Sequence, residues 1–215
     1  MNDTVSLPIL NPVEARVLGS LAEKKELTPD VYPMSLNGLV AAANQKTARE
    51  PVMAIEPALL HRALSQLQQK GLVRQVSGSR VERYEHLLAV RFSLTQGQSA
   101  LLALMMLRGP QTAHELLARS ERMARYRSLE ELSGDLDLLM GRRPPLVQLV
   151  ERGPGQREDR YMHLLSGAVA APVRSAAVPI SADGDAAGNL EDRVAALEEQ
   201  VAELRRQLAA LAGTG

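Results

Sequence analysis

The sequence contains no cysteine and no tryptophan, and its only phenylalanine is Phe92. Without thiols there is no disulfide, zinc–thiolate site, iron–sulfur cluster or cysteine nucleophile. With so few rings, aliphatic side chains must fill the core, and a 45% hydrophobic content supplies them. No apolar run approaches the ~18–20 residues of a membrane span; residues 101–107 fall far short. The start, Met1-Asn2-Asp3-Thr4-Val5, has no basic stretch leading into an apolar one. No signal peptide is read there, so a soluble cytoplasmic protein with no membrane partner is expected.

An excess of either charge is also missing, since 25 Lys and Arg balance 25 Asp and Glu. That balance speaks against a strongly basic nucleic-acid binder. The distribution is nevertheless uneven. Residues 44–94 carry eight cations (Lys46, Arg49, Arg62, Lys70, Arg74, Arg80, Arg83, Arg91) against four acids.

One unit is used twice. Arg83-Tyr84-Glu85-His86-Leu87-Leu88 recurs as Arg160-Tyr161-Met162-His163-Leu164-Leu165. Upstream of each lies a β-like run, Leu72-Val73-Arg74-Gln75-Val76 and Leu146-Val147-Gln148-Leu149-Val150, and a turn-rich stretch separates the members of each pair. Each pair reads as a β-hairpin. Helix signals precede both hairpins. Asn11-Pro12-Val13-Glu14 reads as a capped helix start with Val13, Val17, Leu18 and Leu21 on one face. Thr95-Gln96-Gly97-Gln98 is its counterpart, leading to a stop at Gly109-Pro110. Short second helices are expected at 35–43 and 112–120, the latter boxed by Thr112 and Glu115. Third helices are expected at 57–70, stopped by Gly71, and from Ser128, boxed by Glu131, to near Gly141. Three helices and a hairpin, twice, is the winged-helix plan, in which helices two and three form a helix-turn-helix.

Residues 166–189 shift to Ala, Gly, Pro, Ser and Val without periodicity and read as a flexible linker. Such a linker spans about 27 Å on average. Beyond it, Leu190, Val194, Leu197, Val201, Leu204, Leu208 and Leu211 alternate spacings of four and three. Val at a and Leu at d favour a parallel dimeric coiled coil, with Arg193 at g reaching Glu198 at e of a partner. The alternative is an amphipathic helix that docks on its own chain. The expected fold is therefore mainly α with small β-wings. It comprises two tandem winged-helix domains (8–93 and 94–165), the linker (166–189) and a coiled-coil helix (190–212).

Residues 35–53, Ser-Leu-Asn-Gly-Leu-Val-Ala-Ala-Ala-Asn-Gln-Lys-Thr-Ala-Arg-Glu-Pro-Val-Met, together with Ser79-Arg80-Val81-Glu82-Arg83-Tyr84-Glu85-His86, resemble the YceH family of uncharacterised bacterial proteins. The resemblance continues through Leu107-Arg108-Gly109-Pro110-Gln111-Thr112, His114-Glu115-Leu116 and the second hairpin, over about residues 8–165. Two positions depart from it: Ala43 stands where the family leads one to expect Cys, and Ala48 where it leads one to expect Asn. The resemblance implies a tandem winged-helix fold and no particular activity.

In helix 57–70, Leu59, Leu60, Ala63, Leu64 and Leu67 are expected to face the core and Arg62, Ser65, Gln66 and Gln69 to face outward. Arg, Gln and Ser are side chains that read base edges, although a Gln-rich solvated face has the same composition. Asn44-Gln45-Lys46-Thr47 could hold a phosphate or satisfy a turn, and Pro51 argues against a long helix there. The expected DNA-binding residues are Lys46, Arg49, Arg62, Ser65, Gln66, Gln69, Arg80 and Arg83. The second third-helix, with Glu130, Glu131, Asp135 and Asp137, would repel phosphates and suits a structural or protein-binding copy.

No enzyme, cofactor or metal site is expected. His114-Glu115-Leu116-Leu117-Ala118 opens like a zinc-protease motif, but Ala118 stands where the second His must be. His86 and His163 hold equivalent repeat positions, which points to packing, and Met105-Met106 reads as core. The leading expectation is a dimeric DNA-binding transcriptional regulator whose partners are double-stranded DNA, a second copy, and a protein at the second domain. The alternative is a non-enzymatic protein-interaction scaffold assembled by the coiled coil.

Overall fold

The computed structural model describes residues 7–76, 81–152 and 157–168. The expected heptads from Leu190 to Leu211, the Arg193 and Glu198 pair, nearly all of the expected linker, and Arg80 lie outside them. Among the described residues the fold is mainly helical with two small antiparallel sheets. No helix there is long and apolar enough to cross a membrane.

The same succession of elements occurs twice. The first is α1 (Pro12–Leu27), β1 (Met34–Ser35), α2 (Leu36–Ala43), α3 (Pro57–Gln69) and the hairpin β2 (Val73–Val76) and β3 (Arg83–His86). A short α4 (Leu88–Phe92) follows. The second is α5 (Gln96–Arg108), α6 (Ala113–Ser120), α7 (Leu129–Gly141), β4 (Val147–Val150) and β5 (Arg160–His163). In the first sheet the strand order is β1-β3-β2, with Met34 opposite Tyr84. The second sheet has two strands, and an isolated bridge between Gln111 and Tyr161 stands in β1's place.

The registers repeat as well. His86 lies opposite Val73, and His163 opposite Val147. Arg83 donates to the Pro33 carbonyl at 2.7 Å and Arg160 to the Pro110 carbonyl at 3.0 Å. The two arginines therefore fasten each hairpin to the strand-like segment that enters the second helix.

Helix starts follow local chemistry. Full capping boxes close at Asn11/Glu14, Thr95/Gln98 and Thr112/Glu115, each satisfying otherwise orphaned amides. At α7 only half of the expected box forms. Ser128 accepts from the Glu131 amide, but the Glu131 carboxylate turns to the Arg127 amide at 2.7 Å.

The face expected on α1 is packed into the core, with Val17, Leu18 and Leu21 buried, but the burial of this helix goes further. Every residue from Glu14 to Glu23 is buried, and so is every residue of α5 from Gln98 to Leu107. A helix buried all round needs cover on both sides, and α1 and α5 lie against each other to provide it. Gly19 permits the contact: a Cβ there would stand 3.0 Å from Leu107 Cγ and 3.1 Å from Met106 Cβ. Leu18 and Leu21 of α1, Leu60 and Leu64 of α3, and Leu101 and Met105 of α5 belong to one continuous core with Leu132 and Leu136 of α7. Backbone bonds cross between the repeats too, from Leu10 N–H to the Leu165 carbonyl (2.6 Å) and from Glu50 N–H to the Leu107 carbonyl (2.8 Å).

Candidate nucleic-acid interface

Helix α3 is amphipathic in the simplest sense. Leu60, Ala63, Leu64 and Leu67, spaced i, i+3, i+4, i+7, are buried, and that stripe already fills the helix's core-facing arc. Leu59 lies 100° away from Leu60 and stays 53% exposed, so its expected place in the core is corrected. It falls instead on the outer row with Arg62, Gln66 and Gln69. Arg62 and Gln69 are exposed, while Ser65 and Gln66 are half-buried. The Ser65 hydroxyl donates to the His61 carbonyl at 3.1 Å, which leaves its oxygen to accept.

Residues 44–56 connect α2 to α3; Lys46, Thr47, Glu50 and Glu56 are exposed, while Asn44, Gln45 and Arg49 are drawn into the fold. Asn44 clamps the far end of the loop, donating to the Ile55 carbonyl (2.9 Å) and accepting from its amide (2.8 Å). Of its two sequence-level roles, satisfying a turn is the one its geometry fulfils. Arg49 is fully buried. Its guanidinium pairs with both oxygens of Glu23 and donates to the Ala42 carbonyl (3.1 Å), the Ala48 carbonyl (2.9 Å) and Gln45 (3.0 Å). A cation so enclosed cannot reach a phosphate, and its expected role in DNA contact gives way to holding the loop on α1. Arg16 does similar work, donating to the Pro51 carbonyl at 2.6 Å and the Ala43 carbonyl at 3.3 Å. Burial lowers its pKa, with the neighbouring Arg49 charge as the second cause. Lys46 remains exposed.

The basic excess of residues 44–94 shrinks on folding. Arg49 and Lys70 are taken by acids of α1, Lys70 bonding the buried Glu14 carboxylate at 2.6 and 2.7 Å. Arg74 donates to Glu85 across the hairpin at 2.7 Å. Arg83 is exposed but holds the Pro33 carbonyl. The described, outward cations of residues 44–94 that carry no acid are therefore Lys46, Arg62 and Arg83, with Arg91 over the Phe92 ring at 5.7 Å.

In the second repeat Glu130, Glu131 and Asp137 are exposed on α7. Asp135 is half-buried and engaged within the fold. It accepts from Gln98 and from the Tyr126 hydroxyl, both at 2.8 Å, and so pins α7 to α5. Burial and then the Asp135 bond raise the Tyr126 pKa. Glu115 caps α6 and takes Arg119 (3.4 Å) and Arg160 (3.1 Å), as a structural acid would. Among the described residues no group of three His, Asp or Glu side chains is disposed to hold a metal.

One cluster escaped the sequence reading. Arg119, Arg122, Arg125 and Arg127 fall within nine residues at the α6–α7 connection. Their signal was their density, which disappears when the acids of α7 are averaged in.

The family model described as "Protein of unknown function, DUF480" matches residues 10–156. A UPF0502 protein of Mesorhizobium japonicum is 72% identical over 163 residues, covering 76% of this chain and 78% of the relative. A UPF0502 protein of Xanthomonas euvesicatoria is 52% identical over 167 residues, covering 78% and 74%. One of Stenotrophomonas maltophilia is 50% identical over 166 residues, covering 77% and 76%.

Proposed function

We propose, from the premise that this chain belongs to the DUF480 family, that it is a non-enzymatic, cytoplasmic, tandem winged-helix protein that dimerises and binds double-stranded DNA as a transcriptional regulator. The observation that carries the reading is the outward row Arg62, Ser65, Gln66 and Gln69 on the third helix of a three-helix-and-hairpin unit. That is the position of a recognition helix, and these side chains can donate to and accept from base edges in the major groove. Lys46 before the helix, with Arg83 on β3 and Arg80 three residues ahead of it in the sequence, would meet phosphates on either side and set the register. The heptads from Leu190 to Leu211 would bring two copies onto two half-sites. The second repeat, with acids on α7, would serve as a structural or protein-binding copy.

Anisotropy titration of the full chain against mixed-sequence duplex at several salt concentrations tests this. Three phosphate contacts per protomer give a log–log slope of about −3, and about −5 when two half-sites are engaged. Absence of salt-sensitive binding at low ionic strength ends the DNA reading. A second reading, a protein-interaction scaffold, is favoured by the exposure of Leu59 and Val52, at 53% and 57%, on and beside the same helix. Apolar side chains there suit a protein surface better than a phosphate backbone.

A further inference from the structure

A cleft of about 280 Å³ opens where α1, the 44–56 segment, α5 and α6 meet. Leu27, Leu104, Leu107 and Met123 supply its apolar lining, and Arg108, Arg119 and Arg122 its cations. Arg108, the last residue of α5, is half-buried and makes no hydrogen bond or ion pair among the described residues. Its N–H groups are therefore free to donate to an anion that enters the cleft. Burial lowers its pKa first, and the Arg119 charge lowers it further.

Glu23 and Glu50 attract Arg108 through space, but neither bonds it. Both oxygens of Glu23 are held by Arg49, and Glu115 is shared by Arg119 and Arg160. Glu50 attracts Arg108 from the exposed surface, and Glu121 lies on the exposed rim. Arg119 itself is directed away by its 2.7 Å bond to Gln111.

We propose that this cleft binds a small organic anion, a carboxylate or phosphate monoester with an apolar group, its charge taken by Arg108 and Arg122 and its body laid on Leu27, Leu104 and Met123. The volume suits a small metabolite, and the mixed lining of apolar floor and few convergent cations is that of a ligand site. The site stands apart from the DNA reading and does not depend on it. Because it touches both repeats and the segment that leads into α3, an occupant braces the two halves together.

The test is a thermal-shift titration of the full chain, without DNA, using benzoate, phenyl phosphate, inorganic phosphate and neutral benzamide at matched ionic strength. Benzoate or phenyl phosphate is expected to raise Tm by about 3–6 °C at roughly ten times its Kd. The larger effect identifies carboxylate or phosphate as the preferred group. Benzamide should do nothing, and the shift should vanish in Arg108→Met and fall in Arg122→Met, while Arg143→Met, remote on the α7 end, retains it. Ligand-free Arg108→Met should melt within about 2 °C of the parent, because Arg108 makes no hydrogen bond or ion pair among the described residues to lose. The proposal is overturned if no anion exceeds matched sodium chloride, if inorganic phosphate alone matches phenyl phosphate, or if the shift survives in both arginine variants.

Discussion

Ala48 holds φ at +59°, a left-handed conformation that L side chains with a Cβ adopt at a cost of roughly 1–2 kcal/mol. This explains why the family resemblance leads one to expect Asn there, the non-glycine residue that tolerates that conformation best. Ala48→Gly should therefore stabilise the chain by about 0.5–1 kcal/mol, read as a rise in the urea midpoint at unchanged slope. Arg49 makes the opposite kind of prediction. Its removal leaves Glu23, whose side chain is only 8% exposed, with Lys24 alone at 3.9 Å, and Arg49→Met should cost about 3 kcal/mol in the same assay.

The paired histidines set a pH window. Burial lowers His86 and His163 from 6.5 to about 4, with Lys25 adding to the effect at His86. The folded state keeps both neutral while the unfolded chain takes up protons first. Their contribution is thus fully present above about pH 6.5 and is lost as pH falls towards 4, by up to ~3 kcal/mol each. Chemical denaturation between pH 7 and 4 should show that decline, and a His86→Gln, His163→Gln double variant should flatten it.

Helix α3 shows what the sequence could and could not disclose at the level of an element. Its limits, its stop at Gly71 and the core role of Leu60, Ala63, Leu64 and Leu67 were legible, because period and punctuation are local signals. Leu59 was misplaced because composition invites every leucine inward, whereas the available arc was already full. The fates of Arg49 and Asp135 were hidden for another reason: their partners, Glu23 and Gln98, lie 26 and 37 residues away. The outer row still yields a directed expectation. Gln66→Ala and Arg62→Ala should relax sequence preference by ~1–3 kcal/mol per lost base contact, whereas Lys46→Ala should weaken all duplexes alike. Parallel titrations on a selected site and on scrambled DNA separate the two patterns, and equal losses on both duplexes for all three variants would remove α3 from base readout.

For the molecule as a whole, association and packing are separable. If the heptads govern assembly, Leu197→Pro should shift the chain towards monomer in sedimentation while residues 8–165 keep their folded spectrum. An unchanged oligomer would move the interface to the described residues. Packing is governed elsewhere, at the meeting of α1 and α5. Gly19→Val thrusts atoms into Leu107 and Met106 and should cost about 1–3 kcal/mol by overpacking, despite relieving a helical glycine. That meeting also decides how the chain can be cut. Severed between residues 93 and 94, each fragment would carry a central helix stripped along one flank, and both should be recovered as insoluble material. Whatever the origin of the duplication, its second copy is then not spare: α7 can drift to an acidic surface, but the copy itself cannot be deleted without unmaking the first.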